Sequence, residues 1–246
     1  MLVTILTVSF MAEKTIARAI ESVLNQSYAE IEYIIIDGGS TDGTAEIARS
    51  YQKAFEAVKG RRMTVISEAD RGMYDALNKG AALAHGELVG QINADDWYEP
   101  DAVETMVRLY EQDQYDTAWG SIRIKKKSGD MIKHAKIGRM WTTSGWCHPA
   151  MFSRRVILLE YPYPLESMYD DWDHITAVRQ TGKRLVTTDH LISNFSFGDG
   201  GQSTEKSLRE VKRRVDVTYS IYRKYEMSKF YWFYRWVYEL IKYLVG

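Results

Sequence analysis

Cysteine is nearly absent. Cys147 is the one thiol in 246 residues, which excludes a disulfide framework and a cysteine-rich zinc site and suits a reducing cytoplasm. Net charge is nearly absent too: 32 Lys and Arg against 33 Asp and Glu leave −1, which argues against a dedicated nucleic-acid binder. No apolar run reaches the roughly twenty residues that a membrane-spanning helix needs. The opening Met1-Leu2-Val3-Thr4-Ile5-Leu6 has no basic n-region and no cleavage-site pattern, so no signal peptide is expected. Internal repeats, low-complexity tracts and flexible linkers are missing as well. With 45% hydrophobic and 26% charged residues, the chain reads as a globular protein with a sizeable core.

Aromatic residues are abundant. They make up 13% of the chain, with 17 Tyr and 7 Trp, and they crowd the last twenty residues. Charge is also unevenly spread. From Ser203 to Gly246 there are ten Lys and Arg against five Asp and Glu, a surplus of +5 that leaves −6 for residues 1 to 202. A mildly acidic body carries a basic, aromatic tail.

The first hundred residues alternate two kinds of pattern. Short apolar, β-branched runs at Leu2–Phe10, Glu32–Ile36, Met63–Ser67 and Leu88–Ile92 predict buried strands. Helical spacing predicts helices around Ile16–Leu24, Thr44–Val58 and Met73–Ala84, with Met73, Leu77, Ala81 and Ala84 in register. This rhythm predicts a parallel sheet with helices on both faces. Beyond residue 100 the spacing predicts a helix from Pro100 to Gln112, a hairpin of Thr117–Lys125 with Met131–Ile137 around residues 127–130, a helix near Asp171–Gln180 and a strand at Arg184–Thr188. From Thr204 on, the pattern is helical.

Ligands of open α/β sheets sit at the carboxyl ends of the strands. Those ends carry Ser9, Asp37-Gly38-Gly39, Ser67-Glu68-Ala69-Asp70-Arg71 and Asp95-Asp96. Such a carboxylate cluster either binds a divalent cation or repels itself, and hard cations take carboxylate oxygens together with substrate phosphates. The arrangement suits a nucleoside diphosphate. The competing reading is that each Asp caps the following helix.

On these residues the chain resembles the family 2 glycosyltransferases, which act on nucleotide-diphospho-sugars. The matching stretches are Thr4-Ile5-Leu6-Thr7-Val8-Ser9, Ser22 to Tyr28, Ile36-Asp37-Gly38-Gly39-Ser40-Thr41-Asp42-Gly43-Thr44, Glu68 to Gly80, Gly86-Glu87 and Asn93-Ala94-Asp95-Asp96-Trp97-Tyr98. Weaker matches follow at His148 to Phe152, Asp170 to Asp173 and Phe197 to Ser203. The resemblance implies an α/β GT-A fold, a Rossmann-like, mostly parallel sheet flanked by helices, here with a C-terminal helical amphipathic extension. It implies a donor-binding half at residues 1–100, an acceptor-binding and catalytic half at 101–202, and the extension at 203–246.

It also implies roles. Asp96 would ligate a divalent metal, Mn or Mg, with Asp95 beside it on the ribose or metal side. Thr7, Ser9, Asp37, Asp70 and Arg71 would line the donor pocket. Asp171 would be the general base of an inverting transfer, with Asp170 and Asp173 as alternatives, because a carboxylate can take the proton from an acceptor hydroxyl as its oxygen attacks the anomeric carbon. His148 falls near the acceptor side, or is structural. A UDP-sugar is the favoured donor, with GDP and dTDP sugars as alternatives; the acceptor would be a glycan or a lipid-linked sugar in cell-surface polysaccharide assembly. Two positions depart from the family pattern: Gly38 stands where many relatives carry Asp, and Met11 where they often carry Asn. The loops at Trp141–Trp146 and Gly198–Gln202 read as covers that close over the donor.

A sixteen-residue stretch of the tail, Phe230 to Val245, places Arg235, Glu239 and Lys242 in one narrow wedge at helical spacing, and nearly everything else is apolar or aromatic. That pattern, with Lys212-Arg213-Arg214 and Arg223-Lys224 before it, predicts a membrane-surface helix on a cytoplasmic, peripheral enzyme. A helix packed on its own core or on a second subunit is the alternative. Other function classes fit less well. An S-adenosylmethionine-dependent methyltransferase would use Tyr33–Gly39 as its strand and glycine loop, but Thr41 interrupts that loop and methyl transfer needs no Asp95-Asp96. No G-x-G-x-x-G follows a strand, and an EF-hand at Asp37–Gly43 fails at Gly39 and Thr41. A catalytically inactive nucleotide-sugar-binding protein is the remaining alternative.

Overall fold

A computed structural model describes residues 1–126, 128–139, 145–196 and 207–245. Four strands, β1 (Val3–Ser9), β2 (Ile31–Asp37), β3 (Arg61–Ser67) and β4 (Leu88–Asn93), lie side by side in the order β3-β2-β1-β4, all parallel. β1 and β2 are buried along their whole length, which is why they read as unbroken apolar runs instead of alternating ones. α1 (Ile16–Leu24), α2 (Thr44–Ser50), α3 (Gln52–Glu56) and α4 (Met73–Leu83) make the crossovers. The single helix expected from Thr44 to Val58 is two, broken at Tyr51. In α4 the inward face is Asp75, Ala76, Leu77, Gly80 and Ala81, while Met73 is exposed.

The sheet continues past β4 through strands that the sequence pattern shows poorly. After β5 (Trp97–Tyr98) and α5 (Ala102–Asp113) come β6 (Thr117–Lys125) and β7 (Met131–Lys133), which pair antiparallel as the expected hairpin. β8 (Met151–Arg154) then inserts antiparallel between β4 and β6. α6 (Arg155–Glu160) and α7 (Asp170–Gln180) lead to β9 (Leu185–Ser196), which runs parallel to β6 with a register shift after Gly120 and pairs with β5 on its other side. β9 is far longer than the strand expected at Arg184–Thr188. α8 (Leu208–Lys224) and α9 (Phe230–Val245) form the C-terminal extension.

β2 carries a buried carboxylate at each end. At the amino end, Glu32 accepts hydrogen bonds from Thr4 Oγ1 (2.5 Å), the His85 N–H (2.7 Å) and Arg62 Nε (3.0 Å), joining β1, β3 and the turn into β4. At the carboxyl end Asp37 does the same for the functional edge. Burial pushes both groups toward protonation, but their donors outweigh it and hold both below the ordinary carboxylate range.

α8 and α9 pack as an antiparallel pair onto α7, and two of the three wedge residues, Arg235 and Glu239, face inward while Lys242 stays exposed. Arg235 is 7% exposed and Glu239 1%. They pair at 2.7 Å, Arg214 on α8 approaches Glu239 at 3.7 Å, and Arg235 lies over the rings of Tyr169 and Trp172 at the start of α7. A buried ion pair needs close partners, and here Arg214 of α8 and the rings at the start of α7 stand nearest to it. Among the described residues no helix is long and apolar enough to cross a membrane.

Two stability predictions follow from this packing. A Cβ at Gly90 would stand 2.6 Å from the Phe152 ring and 2.9 Å from Ile5 Cδ1, so Gly90→Ala should cost about 1–3 kcal/mol in chemical denaturation. His174 is 1% exposed on α7 and its imidazole, desolvated by burial, is held down at about 4 against an ordinary 6.5. Unfolding therefore takes up a proton between those values. Stability should be full above pH 6.5 and fall as the pH drops toward 4, by at most about 1.4 kcal/mol per pH unit. Denaturation series across that range, with His174→Gln flattening the slope, check it.

Candidate active site

Parallel pairing of β1 to β4 brings four carboxyl ends to one edge of the sheet, and the turns that leave them form the site. Asp37 sits at its floor, fully buried. Ser9 Oγ (3.0 Å), Ser67 Oγ (2.7 Å), Ser40 Oγ (2.5 Å) and the Ser40 N–H (2.9 Å) all donate to its two oxygens. Strand ends β1, β2 and β3 are thus locked to one another. Thr7 lies two residues deeper, completely buried, with its hydroxyl 2.9 Å from the Tyr33 hydroxyl. That is a place in the core beneath the strand ends.

The two departures from the family pattern have physical counterparts. A Cβ at Gly38 would stand 2.9 Å from Asp70 Oδ2, so the carboxylate of Asp70 occupies the space beside the missing side chain. The Gly72 N–H holds it at 2.8 Å. Met11 has a left-handed backbone (φ +52°), a conformation that Asn tolerates better than most residues. Its N–H donates to Ser40 Oγ at 2.8 Å, so the turn is held by the same serine that holds Asp37. Arg71 is exposed and leans on Asp75 at 3.3 Å.

Asp95 and Asp96 follow β4. Asp95 stands at the exposed rim, while Asp96 is fully buried. The Ser196 N–H at the end of β9 donates to Asp96 Oδ1 (2.8 Å) and Asn93 Nδ2 to Oδ2 (3.2 Å). Burial, and then the neighbouring charge of Asp95, push the Asp96 carboxyl up to about 8. Arg18 on α1 braces the turn: its guanidinium donates to the Asp95 carbonyl (2.7 Å) and stacks on Trp97 at 3.8 Å. Two adjacent hard oxygen donors, one buried and held, among the described residues, by two neutral N–H donors, fit a divalent cation. Among the described residues no group of three or more His, Cys, Asp or Glu gathers for a metal. A cation here would have to complete its shell with phosphate oxygens and water.

The three carboxylates at the start of α7 are sorted by their partners. Asp170 is spent on its own loop, accepting from the Glu166 and Ser167 N–H groups at 3.0 and 2.8 Å. Asp173 pins α8, taking Lys224 Nζ at 2.9 Å and the Tyr225 hydroxyl at 2.5 Å. Asp171 is half-buried and accepts from the Tyr74 hydroxyl (3.2 Å) and the Trp172 N–H (2.8 Å). Tyr74 was not singled out from the sequence, although it lies within the Glu68–Gly80 stretch. Its ring stacks on Tyr163 at 5.2 Å, and Tyr163 donates to Gln91 Oε1 at 2.7 Å. His148 joins this group through Nε2, 3.0 Å from Gln91 Oε1 and 3.3 Å from the Tyr163 hydroxyl. Burial lowers its imidazole pKa against the opposing pull of Asp171. Residues 141–144 and 198–202 of the expected covering loops lie outside the described residues.

Known proteins give this geometry its context. A glycosyltransferase from Mycobacterium tuberculosis, named for PGL/p-HBAD biosynthesis, is 27% identical over 203 residues, 81% of this chain and 78% of its own. Chondroitin synthase from Escherichia coli is 35% identical over 112 residues, 46% of this chain and 16% of its own. Among solved structures, S. aureus TarS with UDP-GlcNAc aligns with a TM-score of 0.70 at 16% identity, over 98% of this chain and 72% of that one. A longer TarS chain is covered to 37%. The mannosyltransferase PcManGT from Pyrobaculum calidifontis, with GDP-Man and Mn²⁺, aligns with a TM-score of 0.66 at 17% identity, over 90% and 63%. These structures share the GT-A fold expected from the sequence. The model of glycosyl transferase family 2 matches residues 4–180, which sets the methyltransferase reading aside, and the chain belongs to that family of glycosyltransferases.

Proposed function

We propose that this glycosyltransferase moves a sugar, with inversion and with the help of a divalent metal, from a nucleoside-diphosphate donor to a hydroxyl of a glycan or lipid-linked acceptor in cell-surface polysaccharide assembly. The observation that carries the reading is the buried Asp96 beside Asp95 at the carboxyl end of β4, an energetically costly pair unless a cation joins it. A UDP-sugar is the favoured donor. TarS binds UDP-GlcNAc and PcManGT binds GDP-Man, so GDP is the first alternative and dTDP the second.

Asp96 and Asp95 would hold the Mn²⁺ or Mg²⁺, which when bound offsets the charge developing on the departing diphosphate. Ser9, Asp70 and Arg71 flank the nucleotide, and Asp37 holds the strand ends that carry them. Asp171 takes the proton from the acceptor hydroxyl while that oxygen attacks the anomeric carbon. Among the described residues its second oxygen is the one left for the task, because Tyr74 and the Trp172 N–H share the first. Tyr74 acts as a positioning residue, and His148, kept neutral, borders the acceptor side with Tyr163.

Two measurements test this. Calorimetric titration with UDP and with GDP, each with and without Mn²⁺, should show metal-dependent binding of one nucleotide, weakened about 100-fold or more in Asp96→Ala. Binding that ignores both metal and mutation would overturn the metal assignment, and no binding at all would overturn the nucleotide-donor reading. Asp171→Asn should keep nucleotide binding and lower turnover, read as released nucleoside diphosphate, by about 10²–10⁴-fold. Tyr74→Phe should lower kcat by about tenfold with the donor KM unchanged. Full activity in Asp171→Asn would move the base elsewhere.

A further inference from the structure

With Arg235 and Glu239 turned inward, the outward face of α9 is left to apolar side chains. Phe230, Phe233, Val237, Ile241 and Leu244 recur every three or four residues, so they form one stripe along the helix. All five are exposed, Phe230 at 67% and Leu244 at 78%. Tyr234 and Tyr238 flank the stripe on one side and Leu240 and Tyr243 on the other, all exposed as well. A contiguous apolar surface of this kind on a water-soluble face marks an interaction site. We propose that α9 seats the enzyme on an anionic lipid surface through this outward stripe.

Charge decides between a bilayer and a second copy of the chain. Along α8, the turn after it and α9, seven Lys or Arg side chains stand exposed against two carboxylates, Asp216 and Glu226. On α9 and the residue before it the exposed charges are Lys229 and Lys242, both cationic, and its one acid, Glu239, is buried. A second copy packed through these helices would set one basic surface against another. An anionic headgroup layer matches this surplus of exposed cations. Tyrosines flanking an aliphatic centre also suit the headgroup zone, where an amphipathic ring has one wet and one dry side. The helix is sixteen residues long, and no spanning helix is described, so α9 would lie in the interface plane.

The inward face ties this surface to the site. Arg235 rests on Tyr169 and Trp172, the residues on either side of the Asp170-Asp171 pair. Docking through α9 would therefore set the start of α7 close to the membrane, where a lipid-linked hydroxyl would be presented. Lipid binding itself is independent of the transfer chemistry and is read without it.

The test is flotation of the full chain with phosphatidylcholine vesicles, with and without phosphatidylglycerol. The protein should float with the anionic vesicles and much less with the neutral ones. Phe233→Ser combined with Ile241→Ser should reduce flotation about tenfold or more, with the melting temperature unchanged because both side chains are exposed. Lys229→Glu combined with Lys242→Glu, which leaves the stripe intact, should weaken anionic flotation while leaving neutral flotation as it was. Wild-type protein that floats with neither vesicle, or variants that float as well as wild type, overturns the proposal. A dimer in sedimentation velocity that the serine variant disrupts, without flotation, would assign the stripe to a second copy.

Discussion

The site depends on one carboxylate that takes no part in the proposed chemistry. Asp37 ends the second strand of the sheet, and its two oxygens gather donors from β1, β3 and the turn after β2. A buried carboxylate is tolerated only when such donors repay its lost hydration, so the three strand ends are bound together at fixed spacing. Glu32 repeats the device at the opposite end of the same strand. Between the two, β2 is uninterrupted hydrophobic core. The parallel sheet is thus clamped at both edges by charges that it alone solvates, and everything at its carboxyl edge hangs from Asp37.

Asp96 is the counterexample at the same edge. It is as buried as Asp37, yet it has two neutral donors where Asp37 has four contacts, and a second carboxylate beside it. The same environment that stabilises one anion leaves the other poised to take a proton or a cation. At the start of α7 the contrast recurs. Asp170 and Asp173 are consumed by structure, and the carboxylate between them meets its described donors through one oxygen.

α7 links this edge to the C-terminal helices. The Arg235–Glu239 pair of α9 is buried against α8 and against Tyr169 and Trp172, so the helix that exposes the apolar stripe is fastened to the helix that carries Asp171. Turning the charges inward reverses the usual arrangement of a surface helix, whose polar side faces water. The reversal is stable because the inner side offers a cation for the acid and rings for the guanidinium.

The sequence by itself determined the βαβ half of the fold, from Val3 to Asn93. Runs such as Ile34-Ile35-Ile36 are too apolar to stand anywhere but inside a sheet, and the polar residues that end them, Ser9, Asp37 and Asp95-Asp96, mark the functional edge. It also pointed to the family. What lies in pairing between distant segments it left open. β8 is four residues without alternation, and only its place between β4 and β6 makes it a strand. Asp70 enters the gap at Gly38 from another strand's turn, and Tyr74 meets Asp171 across 97 residues. The direction in which the wedge of Arg235 and Glu239 faces was likewise decided by tertiary structure. Helical spacing groups side chains on one face, but whether that face meets water or protein depends on the partners the fold brings to it.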